Sequence, residues 1–365
     1  MIHFKKISTN QLVYLIALNQ IGVHVLTIPY SQSKYSGYDS WMSVLLGGIY
    51  AQLLIFVTYG VCKRFPNESI GQFIRKIIGK PVGKFLLFLL AIYCAESSLS
   101  VAVAYCDVLN RWVLFETPWS VTLGLIFLIA VYAATSSFRS IATISQTIFV
   151  MFGICTFIIL VSAIGQGTFR HFLPIGAHGI GSIAKDSLSS FQAFAGFELL
   201  LYAFPFVACQ KKKEILISSS IANGITTVFY VTITIIVTYN FSENQLHMIS
   251  EPMVFILRKF RMPVMQSLDI LFMTIWLSVA LSTVFIYLFL SAKYVACVFR
   301  NESKNHTWLV WIIGALSYII GLFEENRENQ FKFIDYHHAT TVLFVSIMPI
   351  FLYVFILFRE KVRNS

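Results

Sequence analysis

Along most of the chain, apolar residues continue for roughly 20 positions at a time with few charges, and short polar segments separate the runs. Ten runs stand out, at 10–30, 39–61, 82–110, 117–134, 141–165, 186–208, 215–239, 266–294, 307–323 and 337–358. Crossing the ~30 Å hydrocarbon core of a bilayer as a helix takes about 20 apolar residues. Lipid offers backbone amides and carbonyls no partner, so each run has to be helical. The pattern predicts an all-α integral membrane protein of about ten transmembrane helices.

A second pattern lies over the first. Halved near residue 180, the chain carries five runs on each side, about 10–165 and about 186–358, within one transmembrane domain. Five is odd, so the second set enters the membrane from the opposite face, which makes a 5+5 inverted repeat. Corresponding parts recur in order. In each half a short amphipathic stretch joins the second and third runs: Ile70, Phe73, Ile74, Ile77 and Ile78 at helical spacing, and a counterpart with Phe255, Ile256 and Leu257. The strings Ile74-Arg75-Lys76 before Pro81-Val82 and Leu257-Arg258-Lys259 before Pro263-Val264 are loosely alike. The third and eighth runs are both about 29 residues long, more than a straight crossing needs, and imply tilt.

Composition agrees with a lipid environment. Hydrophobic residues make up 57% of the 365 positions, charged residues 12%, and the mean hydropathy is +0.74, whereas soluble domains are about 25% charged. Ten spans leave no room for a separate soluble domain. The net charge of +10 does not form the basic stripe that nucleic acid requires; it reports topology. Of the 27 Lys and Arg residues, eighteen fall in one alternate set of segments, including Lys5, Lys6, Lys211 to Lys213, Arg300, Lys304, Lys361 and Arg363, and nine in the other. That bias places both termini in the cytoplasm. The first run carries Gln11, Asn19, Gln20 and His24, which points to a retained helix rather than a cleaved signal peptide. Six cysteines without metal-like spacing read as buried thiols.

Candidate chemistry concentrates in the first and sixth runs. One reads Gln20-Ile21-Gly22-Val23-His24-Val25-Leu26-Thr27-Ile28-Pro29, the other Phe194-Ala195-Gly196-Phe197-Glu198 and on to Pro205. Each is the first helix of its half, with a central Gly and a Pro one or two turns later. In repeat transporters such helices unwind there, so that half-helix N-termini and freed carbonyls face a ligand. Gly22, His24, Phe194, Gly196, Phe197 and Glu198 are therefore the candidate ligand-binding residues. A mid-membrane acid costs about 2.5–3.5 kcal/mol on insertion scales, so Glu198 is either paired with a neighbouring helix or gates the site. Glu96, beside Tyr93, Ser97, Ser98 and Ser100, is the second deep acid, a gating or proton-linked candidate or a carboxyl bonded to serines. His24 could sense pH, contact the ligand or satisfy a helix carbonyl. Thr283 and Ser282 could donate to a ligand or bond back to their own helix. Asp107 falls near the outer mouth, where solvent would satisfy it. His337 and His338 are adjacent on a helix, so their rings do not converge on a metal. No phosphate loop, zinc-protease helix or nucleophile elbow occurs, so neither an enzyme nor a cofactor is expected.

This order of motifs resembles the B subunits of endospore germinant receptors, the spore permeases of the amino acid, polyamine and organocation transporter superfamily. The resemblance spans nearly the whole chain. It rests on Ile21-Gly22 to Pro29, the Ser69 to Lys80 loop, Phe172-Leu173-Pro174-Ile175, the Phe194 to Glu198 string up to Pro205, and Lys211 to Lys213. It implies a LeuT-like core and a small nutrient ligand such as an amino acid or sugar. It also implies assembly with an A subunit and a lipoprotein C subunit in the spore inner membrane. Where relatives commonly keep Gly-x-Gly, this chain has His24. An ordinary secondary transporter on the same scaffold is the alternative that the resemblance leaves open.

Overall fold

A computed structural model describes residues 6–163, 167–260, 268–299 and 306–364. Lys5, Arg261, Pro263, Val264, Arg300 and Lys304 fall outside these, as do positions 164–165 of the fifth expected span and 266–267 of the eighth. The first helix comes in pieces, α1 (Thr9–Ile21), one turn at His24–Leu26 and α2 (Ile28–Gln32), and is followed by α3 (Ser40–Lys63), α4 (Ile70–Ile78), α5 (Lys80–Trp112), α6 (Trp119–Ala134) and α7 (Phe138–Ser162). The second half opens with another interrupted helix, α8 (Gly179–Ser190), a turn at Phe191–Phe194 and α9 (Leu199–Ala203). It continues with α10 (Lys213–Asn240), α11 (Glu243–Met248), α12 (Pro252–Lys259), α13 (Asp269–Val298) and α14 (Thr307–Gly321). The last helix runs from α15 (Arg327–Thr341) through a π turn at Val342–Ile347 into α16 (Met348–Asn364).

Among the described residues seven helices are long and apolar enough to cross a bilayer singly. The other three expected places hold the 16-residue α6 and the two interrupted helices. The halves match part for part: a broken first helix, a long second one (α3, α10), a short amphipathic one (α4, α12), then a very long third. α4 buries Ile70, Phe73, Ile74 and Ile77, the predicted stripe. α5 and α13 are 33 and 30 residues long and pack against each other at the centre. In each, 61% of the apolar window is buried by protein, against 22% for Thr307–Glu324, so the long pair is the core and the latter helix faces outward.

Two boundaries differ from the hydropathy reading. The sixth helix begins at Gly179 rather than 186, and the tenth at Arg327 rather than 337, so Glu328 and Asp335 lie on a helix, not in a loop. Both extensions contribute polar residues to clefts, and a helix that faces water carries no apolar run. At the N-terminal end of the bundle, Ser8 and Gln11 form a reciprocal cap on α1. Ile7 pairs with the strand-like segment after α9, through Ile7 N to Phe206 O at 2.9 Å and Ala208 N to Ile7 O at 2.8 Å. These bonds tie the chain start across the foot of the sixth helix. No disulfide joins any of the cysteines among the described residues.

Candidate ligand site between the interrupted helices

The breaks fall where the glycines predict them. Gly22 has φ +40° and Gly196 φ +130°, backbone that only glycine adopts cheaply. A Cβ on Gly196 would meet the backbone of Asn19 and Gln20 at 2.7 Å, so the two broken helices touch there. The unwound groups are satisfied by protein. Asn19 Nδ2 donates to Gly196 O at 3.0 Å and Gln20 Nε2 to Phe194 O at 2.9 Å. The Tyr230 hydroxyl lies 2.9 and 2.7 Å from the carbonyls of Gln20 and Ile21, Trp276 Nε1 donates to Gly22 O, and Thr283 Oγ1 donates to Leu18 O. Ser282 bonds back to Val279. Side chains of α10 and α13 thus cap the carbonyls freed in the first helix, which leaves this stretch knitted shut rather than open to a ligand.

Glu198 belongs to the same construction. Its Oε2 accepts the Gly196 N–H at 2.6 Å, and its Oε1 accepts the hydroxyls of Tyr287 (2.7 Å) and Tyr93 (3.2 Å). A carboxylate is acceptor-only, and three donors from three elements converge on it: the break itself, α5 and α13. Of the two roles open to this acid, the geometry supplies the partners for the paired one. Glu96 sits beside Thr340 Oγ1 (3.0 Å) and His337 Nδ1 (3.5 Å), on the contact between α5 and α15.

A partly enclosed cavity of about 240 Å³ lies to one side of the breaks, among α2, α5, α8 and α15. Its wall includes His24, Ser100, Ala104, Gln192 and His337. Of the predicted site residues His24 is in that wall. Gly22, Phe194, Gly196, Phe197 and Glu198 are not among the lining residues; Phe194, Phe197 and Glu198 are buried in the packed protein around the breaks. His337 and His338 both reach the cavity, and no cluster suited to a metal occurs among the described residues.

The mouth is charged in a way the sequence did not reveal. Asp107, expected to be solvated, is paired with Arg111 at 2.6 Å, and Arg111 also donates twice to Glu251, at 3.0 and 2.6 Å. Arg327, at the start of α15, adds a second cation to the rim. Residues 111 and 251 are 140 positions apart, so only the fold joins them. The available signal was an Arg at the end of an apolar span that holds an acid one turn earlier.

The spore germination protein family profile matches residues 6–330. The chain belongs to that family. It is 26% identical over 275 residues to the spore germination protein GerQB of Bacillus cereus, covering 74% of each chain. It is 22% identical over 362 residues to YndE of Bacillus subtilis, covering 98% of both, and 22% identical over 370 residues to spore germination protein KB of the same organism, covering 99% of this chain and 97% of that one. Among solved structures, the Eremococcus coleocola manganese transporter superposes with a TM-score of 0.57 over 94% of this chain and 78% of its own, at 13% identity. That likeness shows the fold, a LeuT-like arrangement of two five-helix halves. This spore germination protein is accordingly a multi-pass membrane protein with a germinant-receptor or transporter-like role.

Proposed function

We propose that this spore germination protein is the membrane subunit of a nutrient-germinant receptor in the spore inner membrane. A small nutrient, such as an amino acid, binds in the 240 Å³ cavity and the resulting shift in helix packing passes to A and C subunits. The observation that carries this reading is the cavity itself, bordered by half-helices α2 and α8, each of which connects through one short turn to a glycine break. A solute held there contacts the parts that a hinge at Gly22 or Gly196 would move. A ligand shifts an equilibrium only by its unequal affinity for two states, and these walls supply the inequality. His24 contacts the ligand, and Gly22, Phe194, Gly196, Phe197 and Glu198 hold the breaks that the ligand biases. The cationic and acidic groups at the mouth, Arg327 with Arg111, Asp107 and Glu251, suit a solute carrying both charges. With both termini cytoplasmic, the cavity opens outward and the Ile7 to Ala208 pairing closes the inner end.

Secondary transport on the same scaffold is favoured by one feature, the Glu96 carboxylate 3.5 Å from the His337 ring in the cavity wall. Such a pair is a common proton carrier in membrane transporters. One experiment separates the two. Spores lacking this protein, challenged with a panel of single nutrients, should lose germination to a defined subset. Uptake of labelled nutrient by the isolated protein in vesicles, without partner subunits, would replace the receptor reading with the transporter one.

A further inference from the structure

Beside the ligand cavity runs a larger cleft of about 1270 Å³, between α3, α8 and the last helix, with Tyr30, Ser189, Gln192 and His338 in the wall common to both. Its character changes along its length. One end carries Lys34, Lys185 and Asp335; the other is apolar, with Leu53, Val57 and Ile350. From Asp335 to Ile350 the last helix advances roughly 22 Å at 1.5 Å per residue, longer than one leaflet's ~15 Å share of the hydrocarbon core. Leu53 and Ile350 are half exposed and belong to the membrane-length apolar helices Gly37–Lys63 and Arg327–Glu360. The cleft therefore opens sideways, at the depth of acyl chains. The π turn at Val342–Ile347 lies on its wall, through Val342 and Ser346; π turns of this kind recur at functional sites.

The polar end is arranged for an anion. Lys185 Nζ stands 3.6 Å from the centroid of the Tyr35 ring and Lys34 Nζ 5.6 Å from the same ring, so both ammonium groups lie near one aromatic side chain. Neither forms an ion pair among the described residues. Asp186, although in the lining, is already committed: its Oδ2 accepts the N–H groups of Tyr35 and Ser36 and the Ser36 hydroxyl. Asp335 is the remaining acid there, against the two lysines and the imidazoles of His247 and His338.

We propose that an anionic phospholipid occupies this cleft, its phosphate between Lys34 and Lys185 and an acyl chain along Leu53, Val57 and Ile350. A charged head at one end and a greasy trough at membrane depth match that molecule along its length. An apolar helix from a partner subunit would fill the trough but leave both ammonium groups unpaired. The site needs only that the chain spans the membrane, so it stands or falls independently of which solute the neighbouring cavity binds.

The test is lipid retention by the purified full-length protein. Extracted from vesicles containing equal phosphatidylglycerol and phosphatidylcholine, it is analysed by native mass spectrometry. Wild type should retain phosphatidylglycerol at least tenfold over phosphatidylcholine. A lysine near an anionic headgroup contributes about a fivefold change in affinity, so K34Q/K185Q should bring the preference to within about twofold. K34R/K185R, which keeps both charges, should preserve it. Leu53→Trp, at an exposed position, should lower retention of both lipids by filling the trough, an effect that binding of inorganic phosphate at the lysines would not show. Equal retention of the two lipids by wild type, or a preference unchanged in K34Q/K185Q, overturns the proposal. So does a photo-crosslinker at position 53 that labels a partner protein rather than lipid in the assembled receptor.

Discussion

Removing the Glu198 carboxylate should loosen the break in the sixth helix, and the cost can be worked from its three bonds. Hydrogen bonds to a charged group contribute about 1.5–3 kcal/mol each, and a buried donor left unpaired costs about 1–3 kcal/mol. Glu198→Ala strands the Gly196 N–H and the hydroxyls of Tyr93 and Tyr287. The tyrosine rotors can turn toward other acceptors, but the Gly196 amide cannot, so the net loss is expected at about 3–5 kcal/mol. Glu198→Gln keeps the shape and one acceptor oxygen. Its amide nitrogen must face either the Gly196 N–H or the tyrosine pair, and the tyrosines can accept from it, so a loss of about 1–2 kcal/mol is expected. Tyr287→Phe removes the shortest tyrosine bond and should cost about 1–2 kcal/mol. The assay is reversible unfolding of the purified protein in mixed micelles, run as a double-mutant cycle. Glu198→Gln and Tyr287→Phe should be non-additive by about 1 kcal/mol, because they share one bond. Additivity within about 0.3 kcal/mol, or a Glu198→Ala variant as stable as wild type, would refute the claim that this acid pins the break.

Other expectations follow from the same geometry. Gly196→Ala should abolish well-behaved protein, since its Cβ would sit 2.7 Å from the backbone of the first helix, whereas at Gly22 the nearest atom is the Thr283 hydroxyl at 3.4 Å; Gly22→Ala should cost only the strain of its positive φ, about 1–3 kcal/mol. Yield and monodispersity on size exclusion rank the two. Arg111→Gln leaves Asp107 and Glu251 facing the cavity mouth without their cation; the nutrient concentration for half-maximal germination should rise about tenfold or more, and an unchanged dose curve would remove this cluster from the site. His24→Ala should shift the same dose curve while leaving unfolding within about 1 kcal/mol, because the ring lies in the cavity wall.

The spans were legible because lipid enforces them: only a long apolar helix satisfies its own backbone there, and α5, α7, α10 and α13 follow the hydropathy closely. The breaks were legible because a positive φ selects glycine, at Gly22 and Gly196. The partners that make those breaks stable were not. Tyr230, Trp276 and Thr283 look like ordinary span residues, and their role depends on α10 and α13 being brought beside α1. The cavity was half hidden for a related reason. Part of its wall comes from the first turns of α15, with the polar Arg327 and Gln330, and hydropathy, which started the tenth span at 337, left those turns in a loop. Glu198 stood out in the sequence as a costly acid that either pairs with a neighbouring helix or gates the site, but its partners, two tyrosines 105 and 89 residues away, are brought to it only by the fold.

The central claim, that a small nutrient binds in the cavity among α2, α5, α8 and α15, is tested most directly by narrowing that cavity. Ala104 lies in its wall, and Ala104→Phe places a ring there without touching the breaks. Labelled nutrient, chosen as one to which the deletion strain no longer responds, is titrated onto the purified receptor complex carrying wild-type or substituted protein. Saturable binding by wild type that falls at least thirtyfold in the variant, with the complex intact on size exclusion, is the predicted result. The same affinity in both would contradict the account.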